Sequence, residues 1–84
     1  MILPGQPVTL TVEQIAALNR ELGIMRHDIN NHLSLVLAAV ELIRAKPHMT
    51  ERMIATLLEQ PPKISHAMQK YSSEFEKACG IKRH

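Results

Sequence analysis

The sequence has few aromatic residues and almost no cysteine. Its 84 residues include no tryptophan, one tyrosine (Tyr71), one phenylalanine (Phe75) and one cysteine (Cys79). A single cysteine excludes an intramolecular disulfide and favours a reducing compartment. A chain of this length forms one small domain at most, close to the limit for a self-sufficient core. We therefore expect it to associate with another chain.

An excess of one charge and long apolar runs are also missing. The formal net charge is +2, and the basic residues are dispersed, which is too little for a nucleic-acid-binding surface. The longest apolar stretch, Leu33 to Ile43, contains Ser34 and Glu41 and falls short of the ~20 residues of a membrane-spanning helix. The first residues lack the features of a signal peptide. We expect a cytoplasmic protein that binds neither nucleic acid nor membrane.

Proline and glycine are confined to a few positions and mark the helix boundaries. Residues 1–10 contain two prolines and a glycine and are expected to form an irregular leader. Thr11 followed by Gln14 predicts a capping box. No proline follows until Pro47, so the pattern predicts a helix from about Val12 to Ala45, roughly 50 Å long at ~1.5 Å per residue.

A second helix is predicted after the turn. Thr50 is placed to cap its start. The adjacent prolines Pro61 and Pro62 predict a kink or a break, after which the helix resumes as far as Cys79. Gly80 suits the left-handed conformation that ends many helices.

Both predicted helices carry an apolar seven-residue repeat, which indicates that they pair antiparallel as an all-α hairpin over residues 11–84. The first helix is also apolar beside this seam, so we expect a second hairpin to cover it and form a four-helix homodimer. The predicted seam residues are Ile15, Leu18, Leu22, Met25, Ile29, His32, Val36, Ala39 and Ile43 in the first helix, and Ile54, Leu57, Pro61, Ile64, Met68, Tyr71, Phe75 and Ala78 in the second.

Three residues in the first helix form a candidate phosphoryl-accepting site. An imidazole becomes a nucleophile when a neighbouring carboxylate orients its ring and stabilises the developing charge, and His27 and Asp28 supply this pair. Asn31 lies one turn further on, where its amide can reach the same phosphate. The heptad register places His27 opposite the seam, facing water, and Gly23 one turn earlier leaves space beside it.

Less specific interpretations apply to the other histidines. A lone surface histidine usually has no chemical role, and only the spacing of Asp28 and Asn31 raises His27 above that. The seam position of His32 favours a buried or half-buried structural residue over a catalytic one. Asp28 and His32 are four residues apart and could hold a metal, but two ligands without a third are weak evidence. We expect no metal or cofactor.

Residues 26–33, Arg-His-Asp-Ile-Asn-Asn-His-Leu, resemble the H-box of the dimerisation and histidine-phosphotransfer domain of two-component sensor kinases. They are also similar to that of the sporulation-type phosphotransferases. The resemblance implies that His27 is the phosphoacceptor, that Asp28 is the acid or base that activates it, and that Asn31 positions water for dephosphorylation of a partner aspartate. Many members have proline where this chain has His32.

The resemblance implies a histidine phosphotransfer protein that exchanges a phosphoryl group with a receiver-domain aspartate. A separate histidine kinase ATP-binding domain is a further candidate partner. The chain has no glycine-rich nucleotide loop, so we expect no autokinase activity. Two alternatives stay open: a non-catalytic helical dimerisation or adaptor module, and a fragment of a larger sensor kinase.

Overall fold

The computed structural model describes residues 4–81, and its regular structure is entirely helical. Helix α1 spans Val12–Ala45, a 3₁₀ turn spans Pro47–Met49, and helix α2 spans Thr50–Cys79. Residues 4–10 lie outside any helix or strand. The all-α prediction is confirmed, and α1 has the bounds that the proline spacing predicts. The predicted leader and domain also include residues 1–3 and 82–84, which lie outside the described residues.

Helix α1 begins with the predicted capping box. The Gln14 backbone N–H donates to the Thr11 hydroxyl oxygen at 3.0 Å, and the Thr11 backbone N–H donates to Gln14 Oε1 at 2.8 Å. Two N–H groups that have no partner within the helix are thereby satisfied. This cap fixes the register of α1 from its first turn.

The predicted role of Thr50 as a helix cap is wrong. Thr50 is the first residue of α2 and has helical angles, while Met49 holds the cap position without a side-chain hydrogen bond. The Thr50 hydroxyl instead donates to the Pro47 carbonyl at 2.6 Å. The chain enters α2 directly from the 3₁₀ turn, and a threonine in helical conformation bonds back to a carbonyl of the preceding turn.

The predicted break at Pro61 and Pro62 is also wrong, because α2 continues through both residues. A kink within this continuous helix stays a prediction. Each proline removes one helical N–H donor. Both prolines are exposed, so water can reach the side of the helix on which the donors are lost, while the hydrogen bond between Gln60 and His32 holds α2 against α1.

Gly80 ends α2 in the left-handed conformation predicted for it, with φ 69° and ψ 24°. The backbone N–H groups of Gly80 and Ile81 both donate to the Glu76 carbonyl, Ile81 at 2.8 Å. Glycine adopts this conformation without the steric penalty of a side chain.

The two helices contact each other along their length. The grooves between them are lined at one end by Leu18 with Ala78, in the middle by Met25 with Tyr71, and further along by His32 with Ala67. Rising residue numbers on α1 thus meet falling numbers on α2, so the helices run antiparallel. The molecule measures 58 × 28 × 11 Å, which is a single layer of helices.

The face of α2 that meets α1 matches the predicted seam only in part: Tyr71 and Ala78 lie at the contact as predicted. Gln60 and Ala67 are buried, whereas their predicted counterparts Pro61 and Met68 are exposed, Met68 by 52%. The apolar repeat favoured Met68 over the smaller Ala67 and Pro61 over the polar Gln60. The contact with α1 instead takes a small residue, Ala67, and a polar one, Gln60, that has a hydrogen-bonding partner on α1.

Candidate functional site

The imidazole of His27 lies on the open surface of α1. Its side chain is 75% exposed, and that of Asp28 is 48% exposed. His27 Nδ1 and Asp28 Oδ1 are 3.7 Å apart, which is too long for a hydrogen bond but close enough for a small rotation to form one. The Asp28 carboxylate therefore approaches Nδ1, and Nε2 is the ring nitrogen left for another group.

Asn31 and Gly23 flank the imidazole along the same helix. Asn31 is exposed one turn after His27, about 6 Å further along the axis at ~1.5 Å per residue. A Cβ atom placed on Gly23 meets nothing within 4 Å. The surface on both sides of His27 is thus open to an approaching molecule, and none of residues 4–81 would be in the way of a side chain at position 23.

His32 has a different environment, at the contact between the helices. Its Nδ1 lies 2.8 Å from Gln60 Oε1, and Gln60 Nε2 donates to the Thr56 carbonyl at 2.8 Å. Gln60 is 1% exposed, so this short chain of hydrogen bonds crosses from α1 to α2 in the most enclosed part of the molecule. The prediction that His32 is half-buried in the seam is confirmed.

A groove runs along the helix contact beside Asp28. Its volume is about 350 Å³. The side chains that line it carry mostly nitrogen donors, with one carboxylate at the edge nearest His27. They are Asp28, His32, Pro62, Lys63, His66, Ala67 and Lys70. Asp28 thus lies between two histidines, with His27 on the outer surface of α1 and His32 in the groove.

The described residues show no group of three or more histidine, cysteine, aspartate or glutamate side chains placed to hold a metal ion. Within the same part of the chain, no helix is both long enough and apolar enough to span a membrane. The side chains around His27 and along the groove supply imidazole, carboxylate, amide and amino groups.

Comparisons with known proteins do not identify the chain. No family model matches it, no curated protein matches it, and no solved structure matches it. The geometry of the site and the sequence pattern are thus the grounds for a functional proposal.

Sequence reasoning did not find Gln60 or the basic residues of the groove. Lys63, His66 and Lys70 lie on α2, more than thirty positions from His27, and no short motif links them to it. Gln60 lies directly before two prolines, at a position outside the predicted apolar seam. Only a knowledge of which face of α2 meets α1 reveals these residues.

Proposed function

We propose that the chain is a cytoplasmic histidine phosphotransfer protein that carries a phosphoryl group on His27 and exchanges it with the aspartate of a response-regulator receiver domain. The observation that supports this most strongly is the exposed imidazole with the Asp28 carboxylate 3.7 Å from its Nδ1. A carboxylate at Nδ1 holds the ring in the form whose Nε2 carries a lone pair. Nε2 must be exposed if a phosphoryl group carried by another protein is to reach it.

The transfer step needs positioning and charge stabilisation rather than a cofactor. Nε2 of His27 attacks the phosphorus of a phosphoaspartate, the N–P bond forms, and the bond from phosphorus to the aspartate oxygen breaks. The aspartate leaves as a carboxylate, and Asp28 stabilises the positive charge on the imidazole. The exposed Asn31 amide can donate to a phosphoryl oxygen or to a water molecule at the same place.

The proposal includes a homodimer built from two antiparallel hairpins, because one chain leaves a broad apolar surface uncovered. The accessible surface is 6528 Å², against about 5,000 Å² for a compact protein of this mass. The radius of gyration is 18.0 Å, against about 12 Å for a compact domain of this length. A second copy that covers the excess surface would form a four-helix bundle.

The proposed dimer interface consists of exposed apolar side chains from both helices. Helical periodicity puts most of those of α1 to one side of its contact with α2, and the antiparallel arrangement puts those of α2 on the same side. We call this surface the apolar face. It consists of Leu33, Leu37 and Val40 on α1 and Ile54, Leu58 and Met68 on α2, all at least 39% exposed.

The function is tested by offering the protein a phosphoryl donor of the proposed class. Receiver domains are first phosphorylated on their aspartate with a radiolabelled small-molecule donor, freed from it by gel filtration, and mixed with the chain. We expect label that is stable in base and labile in acid, located on His27. His27→Gln should abolish it, and His48→Gln, which changes another exposed histidine, should leave it unchanged. Label at equal levels on the His27→Gln variant would contradict the proposal.

A separate histidine kinase ATP-binding domain is the alternative phosphoryl donor. Kinase domains that carry no phosphoacceptor of their own can be supplied with labelled ATP and assayed in the same way. If the chain acquires no label from any receiver domain or any kinase domain, the second candidate is favoured.

The second candidate is a non-catalytic helical dimerisation or adaptor module. The apolar face favours it as well, since association through that face does not need His27. Under this alternative His27→Gln leaves every interaction intact, and substitution of Leu37 disrupts them. Both candidates include association through the apolar face, so the effect of His27→Gln is what separates them.

A further inference from the structure

The hydrogen bonds of His32 determine which of its nitrogens carries the proton. The Thr56 carbonyl can only accept, so the Gln60 side chain must present its NH₂ group to it, at 2.8 Å. Gln60 Oε1 then faces His32 Nδ1 at 2.8 Å. An amide oxygen also can only accept, so Nδ1 must be the donor. The neutral ring of His32 is therefore protonated at Nδ1.

The other nitrogen of His32 carries a lone pair and is open to solvent. A neutral imidazole protonated at Nδ1 has an unprotonated Nε2. Across residues 4–81, no buried side-chain nitrogen or oxygen atom lacks a hydrogen-bond partner. The hydrogen bond that His32 makes uses Nδ1, so Nε2, which has no partner in the described chain, is not buried. Solvent can reach it, and His32 lines the groove beside Asp28.

The groove that His32 lines has a chemical character suited to phosphate. Lys63 and Lys70 contribute two positive charges and His66 a further imidazole, against the single carboxylate of Asp28. Lys63 Nζ lies 3.9 Å from a carboxylate oxygen of Glu59. Both side chains are exposed, so the ion pair is weak and another anion can replace Glu59 beside Lys63. Charge-assisted hydrogen bonds from lysine are a common means of holding phosphoryl oxygens.

The size of the groove indicates that a phosphoryl donor bound in it differs from one that reaches His27. A volume of about 350 Å³ is at the lower end of the range for small-molecule sites. His27, by contrast, stands on an open helix surface that a protein domain can approach. The groove therefore fits a small phosphoryl donor, and its nucleophile is held by a buried partner, Gln60.

We propose that His32 is a second phosphoryl-accepting residue, which reacts through Nε2 with small acyl phosphates bound in the groove by Lys63 and Lys70. The Nε2 lone pair attacks phosphorus, an N–P bond forms, and the bond from phosphorus to the acyl oxygen breaks. The carboxylate leaves with that electron pair. The Nδ1 proton stays on the ring in its hydrogen bond to Gln60, so the phosphorylated imidazole carries a positive charge beside the phosphoryl oxygens.

The site is tested in the His27→Gln variant, so that the result does not depend on transfer from receiver domains. The protein is incubated with acetyl phosphate, quenched in base, and the phosphate on each histidine is quantified over time by mass spectrometry. We expect His32 to be labelled faster than His48, an exposed histidine outside the groove. Lys70→Gln, an exposed substitution that leaves the helix contact intact, should slow the labelling of His32 and not that of His48.

The role of Gln60 is tested in the same background. Nitrogen-15 NMR of the side chains should show His32 protonated at Nδ1 and unprotonated at Nε2. Gln60→Leu should lower the labelling of His32 by about fivefold, the factor that corresponds to a hydrogen bond of ~1 kcal/mol. The proposal is overturned if His32 is labelled no faster than His48, if Lys70→Gln slows both residues equally, or if the spectrum shows His32 protonated at Nε2. The NMR result for the unsubstituted Gln60 stands even if Gln60→Leu does not fold.

Discussion

Removing one partner of the hydrogen bond between His32 and Gln60 should lower the free energy of unfolding by an amount that follows from the structure. Gln60 is 1% exposed, so His32→Leu leaves its Oε1 without a donor in an enclosed place. Gln60→Leu leaves the His32 Nδ1–H without an acceptor. Each change strands one polar group, and a buried unsatisfied group costs about 1–3 kcal/mol of unfolding free energy. Replacing both partners strands neither, so the double variant should lose much less than the sum of the single losses.

A double-mutant cycle measured by urea unfolding checks this prediction. Helix content is followed by circular dichroism at one fixed protein concentration, because association makes the apparent stability depend on concentration. The control cycle pairs His32→Leu with Gln69→Leu. Gln69 is an exposed glutamine on the same helix as Gln60, and the losses of unfolding free energy should be additive within about 0.5 kcal/mol. Additivity within the same limit for His32→Leu and Gln60→Leu would show that the two side chains are not coupled and would refute the reasoning.

Three further predictions concern α1. Gly23→Ala should raise the free energy of unfolding by about 1 kcal/mol, because alanine favours helix and its Cβ meets nothing within 4 Å; the same variant should slow phosphotransfer to His27, and unchanged transfer would show that the partner does not approach at this position. Thr11→Ala should lower the thermal stability through the loss of about 1 kcal/mol of capping, measured by circular dichroism, and an unchanged melting temperature would contradict the cap. Leu37→Asp places a charge on the apolar face and should yield monomers in light scattering, whereas Ala38→Asp, at an exposed position directed away from Leu33 and Val40, should not; equal behaviour of the two would exclude this face as the dimer interface.

The elements that the sequence predicted correctly depend on local interactions. The capping box of Thr11 and Gln14, the bounds of α1 and the left-handed Gly80 each follow from residues a few positions apart. The predicted break at Pro61 failed because packing against α1 outweighs the loss of helical hydrogen bonds. Thr50 failed as a cap because a 3₁₀ turn already leads the chain into the helix.

The arrangement around the candidate site needed the contact between the helices. A heptad repeat indicates that one stripe of α2 is buried but leaves the position of that stripe uncertain by one residue. In this helix a shift of one residue replaces Pro61 by Gln60 at the contact with α1. The hydrogen bond from Gln60 to His32 joins positions 28 apart, so no local pattern reveals it. The residues His27 and Asp28 could be selected from the sequence because they are adjacent and their chemistry is local.

The central claim is that His27 accepts a phosphoryl group from a receiver-domain aspartate. The most direct measurement is the amount of acid-labile, base-stable phosphate on His27 after mixing with a purified phosphorylated receiver domain, with the time course of its loss from the receiver recorded in parallel. We predict that phosphate lost from the receiver appears on His27 and that Asp28→Asn slows this transfer by about tenfold, the factor that corresponds to ~1.4 kcal/mol of lost stabilisation of the positive charge on the imidazole. Loss of phosphate from the receiver at the same rate with His27→Gln as with the unaltered chain, and no label on His27, would contradict it.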